Sequence, residues 1–202
     1  MEKAAPAAPG TAPRVVLGSG SRYRRELLAR LLPGFDVAAP LVDETPLPEE
    51  PAPALATRLA RLKAATVAVA WPGAVVIGSD QVAECAGRIL GKPGTAAAAV
   101  EQLGHCAGQP LVLHTAVAVQ GPDGAIMEHL DQTTLRFRAL GHDEILHYVD
   151  RDSPLDCAGA FRFESLGVAL FSEVVTRDPA AIQGLPLLWL VSALQAFGVR
   201  VI

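Results

Sequence analysis

A glycine-rich segment followed by arginines is the first part of the chain that could bind a charged ligand. Residues 18–25 read Gly-Ser-Gly-Ser-Arg-Tyr-Arg-Arg. Backbone N–H groups, the Ser19 hydroxyl and the positive end of a helix can converge there on an anion, and guanidinium groups such as that of Arg24 can neutralise it. The spacing matches neither a P-loop nor a G-x-G-x-x-G fingerprint. The segment therefore fits a phosphate site, and it also fits an ordinary turn before a basic helix.

A carboxylate follows a short apolar stretch later in the chain. Asp80 stands in Gly-Ser-Asp-Gln after residues 75–77, and we expect it at the carboxyl end of a buried strand, where α/β proteins bind ligands. A carboxylate at this position can hold a divalent metal or accept a proton from water. The alternative is an aspartate that caps a turn or a helix.

Lysine is rare in this chain. Lys3, Lys63 and Lys92 stand against fourteen arginines. Lys63 follows Asp43-Glu44-Thr45-Pro46, and Lys92 stands in the loop after Asp80. Because arginine serves elsewhere for general positive charge, a compact ammonium group is indicated at these two positions, with solvated lysines as the alternative.

The elements that must position these residues alternate between strands and helices. An apparent hairpin, 111–119 with 125–137, interrupts this alternation. A helix, a strand, a helix and a short last strand are expected after it. This order predicts an α/β fold: a mixed twisted sheet with flanking helices, in two interwoven lobes around a cleft. The expected strands are 14–17, 35–39, 75–77, 111–119, 125–137, 168–175 and 199–202, and the expected helices are 21–32, 54–70, 95–106, 142–150 and 187–197.

Composition limits the classes of partner. Half of the 202 residues are apolar and 19% are charged, as in a packed globular protein. The formal net charge of -4 offers no general basic surface, so broad binding to nucleic acid is excluded. An anion site must therefore be built locally.

Cysteine usage and the lack of targeting segments indicate the compartment. Cys85, Cys106 and Cys157 form no C-x-x-C pair, and their odd number favours a reducing cytoplasm over a disulfide scaffold. No signal-peptide pattern and no apolar run of about 20 residues is present. We therefore expect a cytoplasmic protein with no membrane partner, with a disordered Ala/Pro-rich tail over residues 1–13 and a single domain over 14–202.

Taken in order, these segments resemble the Maf family of nucleoside triphosphate pyrophosphatases. One block alone would be weak, but six blocks in register are specific. They are Leu-Gly-Ser-Gly-Ser from 17 with Arg-Arg-Glu-Leu-Leu from 24, Val-Asp-Glu-Thr-Pro from 42, the region 60–64, Ile-Gly-Ser-Asp-Gln-Val from 77, Ile-Leu-Gly-Lys-Pro from 89, and Asp-Cys-Ala-Gly-Ala from 156 with Gly-Leu-Pro-Leu from 184.

The resemblance implies a cleft-containing fold, homodimers and metal-dependent cleavage of a small-molecule nucleotide between its α and β phosphates. The triphosphate would be held by Ser19, Arg24, Lys63 and Lys92. The metal, Mg²⁺ or Mn²⁺, would be held by Glu44 and Asp80, and Asp80 would activate the attacking water.

Three positions resemble the YceF-like branch of the family, whose members hydrolyse 7-methyl-GTP. The resemblance places substrate discrimination at Tyr23, Gln81 and Glu164. An aromatic face and a carboxylate suit the positively charged 7-methylguanine, which thymine cannot imitate. Two positions depart from the pattern: Arg22 replaces the family's usual Pro, and Tyr23 stands where this branch usually has Trp.

Two other functions remain open from the sequence. One is a dTTP/UTP pyrophosphatase of the same family, and the other is a non-catalytic nucleotide-binding regulator of cell division. Turnover rates on 7-methyl-GTP, GTP, dTTP and UTP distinguish the dTTP/UTP pyrophosphatase from a 7-methyl-GTP pyrophosphatase. Nucleotide binding without pyrophosphate release identifies the regulator.

Overall fold

A seven-stranded mixed sheet runs through the protein, of which the computed structural model describes residues 13–202. Most of the expected N-terminal tail, residues 1–12, therefore lies outside the described residues. The sheet has the order β2-β1-β3-β5-β6-β7, with β4 also paired to β3. Its strands are β1 (Val15–Gly18), β2 (Asp36–Val37), β3 (Val75–Cys85), β4 (Arg88–Leu90), β5 (Pro110–Gln120), β6 (Ile126–Phe137) and β7 (Phe171–Val175).

Five α-helices among the described residues flank the sheet, and local capping explains where two of them begin. Ser21 accepts a hydrogen bond from the backbone N–H of Arg24, and Thr95 accepts one from Ala98, so each side chain satisfies an otherwise free N–H of the first turn. The helices are α1 (Arg22–Ala29), α2 (Ala52–Ala70), α3 (Ala96–Cys106), α4 (His142–Asp152) and α5 (Leu187–Ala196), with 3₁₀ turns at Ala158–Ala160, Leu166–Leu170 and Pro179–Gln183.

The apolar residues form two main cores that share the long strands. One core packs α1 and α5 against β1 and the beginning of β3. The other packs α3 and α4 against the far ends of β3, β5 and β6. Because β3 and β5 contribute to both cores, the two lobes are interwoven rather than consecutive. The predicted α/β fold with a mixed sheet and two lobes is confirmed.

One edge of β3 is open in its middle. On that side β1 pairs in parallel with β3 up to Gly78, and β4 begins its antiparallel pairing only at Ala83. The other edge of β3 pairs with β5 without interruption from Val76 to Cys85. Residues 79–82 therefore border a gap that no described strand fills, which leaves room for a ligand against the sheet.

Helix α2 lies on the sheet at a point where only glycine fits. A Cβ on Gly78 would collide with the backbone oxygen of Ala60 and lie 2.5 Å from the backbone nitrogen of Ala64. This close approach sets the distance between β3, which carries Asp80, and α2, which carries Lys63.

We expect Gly78→Ala to lower the free energy of unfolding by about 2–3 kcal/mol, because backbone atoms of α2 must move to admit the methyl group. Chemical denaturation measures the change. The matched control is Gly104→Ala in α3, where an added Cβ meets nothing and a gain of up to about 1 kcal/mol is expected from helix propensity. Equal stability of Gly78→Ala and the wild type would contradict the packing described here.

Several sequence-based assignments are wrong. The helix expected at 21–32 ends at Ala29, the strand expected at 35–39 covers only Asp36–Val37, and the sequence predicts no strand where β4 lies. Three further differences are larger. The strand expected at 75–77 continues to Cys85, because the polar residues after Ile77 pair with β5. The first part of the strand expected at 168–175 is the 3₁₀ turn, so β7 begins at Phe171. The strand expected at 199–202 is not formed, because the N–H of Val199 bonds to the Leu194 carbonyl and closes α5.

Within residues 13–202, no helix has both the length and the apolar character that a membrane crossing requires.

Candidate active site

A cavity of about 760 Å³ lies against the open edge of β3. It is bordered by the β1–α1 loop, the loop before α2, the β4–α3 loop and the segments around residues 157–164 and 182–184. All nine side chains singled out from the sequence line it: Ser19, Tyr23, Arg24, Glu44, Lys63, Asp80, Gln81, Lys92 and Glu164. The structure thus brings together residues that are up to 145 positions apart in the chain.

The β1–α1 loop forms one wall of the cavity. Ser19 is buried, and its hydroxyl accepts hydrogen bonds from the Ser21 backbone N–H at 3.2 Å and from the Arg24 guanidinium at 3.3 Å. The loop leads directly into the N-terminus of α1, whose N–H groups and dipole favour an anion. This wall can therefore receive a phosphate group.

Arg24 is held from two sides, and its guanidinium group keeps further donors for a ligand. Its Nε donates to the Gly184 carbonyl at 2.9 Å, in addition to the contact with Ser19. Burial lowers the pKa of Arg24, while the Asp80 and Glu44 carboxylates raise it. An arginine remains protonated under such conditions, so the group supplies a fixed positive charge beside the cavity.

Lys63 forms ion pairs with two carboxylates. Its Nζ lies 2.6 Å from Asp80 Oδ1 and 2.6 Å from Glu44 Oε1. The Lys63 and Asp80 side chains are about 8–9% exposed, whereas Glu44 is 60% exposed. Asp80 and Lys63 thus form the buried part of this cluster, and Glu44 approaches it from a surface loop.

The environment of Asp80 favours its protonated form more than water does. Burial raises the pKa of Asp80, and the nearby charges of Lys63 and Arg24 oppose that rise. A carboxylate with a raised pKa accepts a proton more readily, which suits a general base.

The donor set around Lys63 fits a divalent metal. Glu44 and Asp80 each direct one carboxylate oxygen toward the Lys63 ammonium group, so the two carboxylates lie close together. Mg²⁺ in proteins is commonly held by one or two carboxylates together with phosphate oxygens of the substrate. Within the described part of the chain, no group of three or more His, Cys, Asp or Glu side chains could hold a metal by itself. Substrate oxygens would have to complete the coordination.

The loop that carries Glu44 is held by residues that the sequence analysis did not single out. Glu50 forms a two-pronged ion pair with Arg58 of α2, at 2.6 and 2.8 Å, and Arg58 also donates to the Thr45 carbonyl. Hydrogen bonds from Arg58 and from the Leu47 N–H lower the pKa of Glu50 to about 2. The eight-residue spacing of Glu50 and Arg58 across the start of α2 was the available sequence signal.

Lys92 differs from Lys63 in its surroundings. It lies in the loop after β4, is exposed, and makes no ion pair with any residue in the range 13–202. It can reach a ligand in the cavity, but it is not fixed in position before the ligand arrives.

The part of the cavity lined by Tyr23, Cys157 and Glu164 combines aromatic and charged groups. The Arg22 guanidinium lies 4.7 Å from the centre of the Tyr23 ring, and the Tyr23 hydroxyl lies 3.9 Å from the Cys157 sulfur. Glu164 is paired loosely with Arg162 at 3.9 Å. Burial raises the pKa of Tyr23 and raises that of Cys157 to about 11, so both remain neutral near pH 7.

Gln81 lines the cavity but directs its amide nitrogen into the protein. The nitrogen donates to the Thr115 hydroxyl at 2.8 Å and lies 2.8 Å from the Ala181 carbonyl oxygen and 3.2 Å from that of Ile182. The hydrogen-bonding donors of this amide are therefore used within the fold.

Comparisons with known proteins give relatives over nearly the whole chain. A family model described as Maf-like protein matches residues 14–197. A protein of Xanthomonas oryzae pv. oryzae named 7-methyl-GTP pyrophosphatase is 50% identical over 92% of this chain and 97% of its own length. One of the same name from Aromatoleum aromaticum is 50% identical over 92% of the chain and 96% of its own length. Among solved structures, a nucleoside-triphosphatase (dITP/XTP pyrophosphatase) from Mycobacterium abscessus is 15% identical, covers 63% of this chain and 75% of its own, and has a TM-score of 0.41.

Proposed function

The chain belongs to the Maf-like protein family, and from this premise we propose that its cavity hydrolyses the bond between the α and β phosphates of a nucleoside triphosphate. The observation that carries the proposal is the convergence of Asp80, Lys63, Arg24 and Ser19 on one cavity. A carboxylate with a raised pKa stands there beside fixed positive charges and a helix N-terminus. This is the combination that hydrolysis of a polyphosphate needs.

The positive groups bind and orient the triphosphate. Arg24 and the Ser19 loop receive phosphate oxygens at the N-terminus of α1, Lys63 meets them beside β3, and Lys92 approaches from the opposite loop. Most of the rate enhancement comes from positioning and from neutralising charge that spreads over the phosphate oxygens in the transition state.

Asp80 acts as the general base. Its carboxylate takes a proton from a water molecule, the water oxygen attacks the α-phosphorus, and the bond from that phosphorus to the bridging oxygen breaks. The products are a nucleoside monophosphate and pyrophosphate. Lys63 holds the Asp80 carboxylate in place and faces the negative charge that develops.

Glu44 and Asp80 would hold a divalent cation, Mg²⁺ or Mn²⁺, together with phosphate oxygens. Such an ion supplies additional charge neutralisation at the phosphates. The contacts of Arg58 with Glu50 and Thr45 support this role because they keep the loop of Glu44 beside the cavity.

The substrate we propose is 7-methyl-GTP. Relatives that are 50% identical to this chain over 92% of its length are named for it, and the cavity lining around Tyr23 and Glu164 offers suitable groups. The Tyr23 ring can stack on a positively charged base, and the Glu164 carboxylate can accept hydrogen bonds from its N1 and N2 groups.

Other properties belong to the same proposal. Residues 14–202 act as one domain, and the protein acts as a homodimer in the cytoplasm, as the family resemblance implies. Its three cysteines are free, which suits a reducing compartment.

A nucleotide panel tests the substrate. We expect kcat/KM for 7-methyl-GTP to exceed that for GTP by about tenfold, the worth of one charge-stabilised contact, and those for dTTP and UTP by more. Glu164→Gln should reduce the preference over GTP, while the exposed control Glu173→Gln should keep it. Faster turnover of dTTP or UTP than of 7-methyl-GTP would show that the protein is a dTTP/UTP pyrophosphatase. Binding of every nucleotide without pyrophosphate release would favour the regulator.

A further inference from the structure

The Gly184 carbonyl oxygen contacts both Arg24 and a buried residue of the sheet. Its oxygen accepts a hydrogen bond from Arg24 Nε at 2.9 Å and lies 2.8 Å from the hydroxyl of Ser79, a fully buried residue of β3. The position of this oxygen, together with the Ser19 hydroxyl, therefore sets the direction in which the Arg24 guanidinium faces the cavity.

Gly184 can make this approach because it has no side chain. Its backbone is left-handed, with φ of 96°, and a Cβ would lie 3.1 Å from Arg24 Nε. We call residues 179–184 the 179–184 segment. Contacts made by the backbone of this segment hold the Gly184 carbonyl in place.

Hydrogen bonds from the sheet hold the middle of the 179–184 segment. The Ala181 carbonyl oxygen is 3.0 Å from Thr115 Oγ1 and 2.8 Å from Gln81 Nε2. The Thr115 hydroxyl donates to Ala181 and accepts from Gln81, so it satisfies both of its neighbours. Thr115 and Gln81 face each other in the pairing of β3 with β5.

Asp178 holds the segment at its start. One carboxylate oxygen accepts from the Ala180 N–H at 2.9 Å, and the other accepts from the Leu188 N–H, in the first turn of α5, at 2.7 Å. The 179–184 segment is thus fixed at its beginning by Asp178, in its middle by Thr115 and Gln81, and at its end by the buried Ser79 hydroxyl.

We propose that Thr115 is a positioning residue for phosphate binding, acting through Gln81 and the 179–184 segment on Arg24. Thr115 is fully buried in the middle of β5 and is not among the residues that line the cavity. Thr115 can therefore act on a ligand only indirectly, and its hydrogen bonds with Gln81 and Ala181 are the contacts that lead toward the cavity. This inference rests on the proposed phosphate site, and it gives Gln81 a structural link to Arg24.

Thr115→Val tests the inference, because it keeps the shape of the side chain and removes the hydroxyl. The probe is inorganic tripolyphosphate, which has no base and needs no hydrolysis, and its Kd is measured by calorimetry on the full chain. We expect Thr115→Val to weaken binding about tenfold, whereas Thr115→Ser, which keeps the hydroxyl, stays within about twofold of the wild type. In an Arg24→Ala background, Thr115→Val should have no further effect, as expected for residues that act in one chain of contacts.

Three outcomes decide the inference. Unchanged binding in Thr115→Val overturns it, and so does an equal loss with and without Arg24. If Thr115→Val does not fold, Gln81→Met removes the same connection from β3, and the same result is expected of it. A wild-type protein that does not bind tripolyphosphate would overturn the phosphate site itself, which separates failure of the proposed function from failure of this inference.

Discussion

Replacing Asp80 with asparagine should give a folded protein whose kcat/KM for pyrophosphate release is lower by about 10³-fold. The amide keeps the size of the carboxylate but cannot accept the proton of the attacking water, and it removes one of the two oxygens available to a metal. Lys63 still has the Glu44 carboxylate within 2.6 Å, so its charge is not left without a partner. Steady-state kinetics with an assay for pyrophosphate measure the effect.

Asp123→Asn is the matched control for Asp80→Asn. Asp123 accepts a hydrogen bond from Ala125 in the exposed turn between β5 and β6, and we expect this variant to keep normal kinetics. Circular dichroism and thermal unfolding establish that both variants fold. An Asp80→Asn protein with wild-type kinetics would refute the role of Asp80 as the base.

Replacing Lys63 with methionine should lower kcat/KM by about 10²–10³-fold, because the substrate loses a buried positive charge that acts in the transition state. The change also removes the ammonium group that lies between the Asp80 and Glu44 carboxylates. Lys92→Met provides the comparison within the same cavity. Because Lys92 is exposed and solvent screens its charge, we expect a loss of no more than about tenfold. Equal losses in the two variants would contradict the distinction between the two lysines.

The pH profile of Lys63→Met gives a second readout. A general base must be deprotonated, so kcat/KM falls on the acid side of the Asp80 pKa. Burial raises that pKa, and the Lys63 and Arg24 charges lower it. Removing the Lys63 ammonium group therefore raises the pKa further and moves the acid side of the profile to higher pH. A profile displaced to lower pH would show that another group controls the reaction.

The residue types explain why the sequence pointed to the site. Lys63 stood out as one of only three lysines, and Asp80 stood out in a polar stretch after an apolar strand. The resemblance to a family then connected these residues with Glu44 and Glu164, which have no local signal of their own. The family and the α/β fold are confirmed, whereas the roles of the individual residues stay predictions.

The open edge of β3 could not be predicted from local pattern. The polar residues after Ile77 indicate the end of a strand in the sequence, although β5 continues to pair with them as far as Cys85. Whether a polar stretch stays in a sheet depends on its neighbours, and the neighbours come from distant parts of the chain. Asp80 consequently lies within β3, beside the gap between β1 and β4, rather than after the last residue of a strand.

Contacts made by backbone atoms were also hidden from the sequence. Gly184 reaches Arg24 through its carbonyl, 160 residues away in the chain, and Thr115 holds Ala181 in the same manner. A carbonyl oxygen is present at every residue, so such contacts leave no signature in residue type. Only the left-handed turn at Gly184 has a sequence correlate, the glycine itself.

Identification of the products formed from 7-methyl-GTP tests the central claim most directly. The full-length protein is incubated with the nucleotide and Mg²⁺, and the phosphorus-containing products are resolved by ³¹P NMR. We expect 7-methyl-GMP and pyrophosphate in equal amounts, with no orthophosphate. Formation of a nucleoside diphosphate with orthophosphate, or recovery of bound but intact nucleotide, would contradict the assignment of this cavity as a pyrophosphatase site.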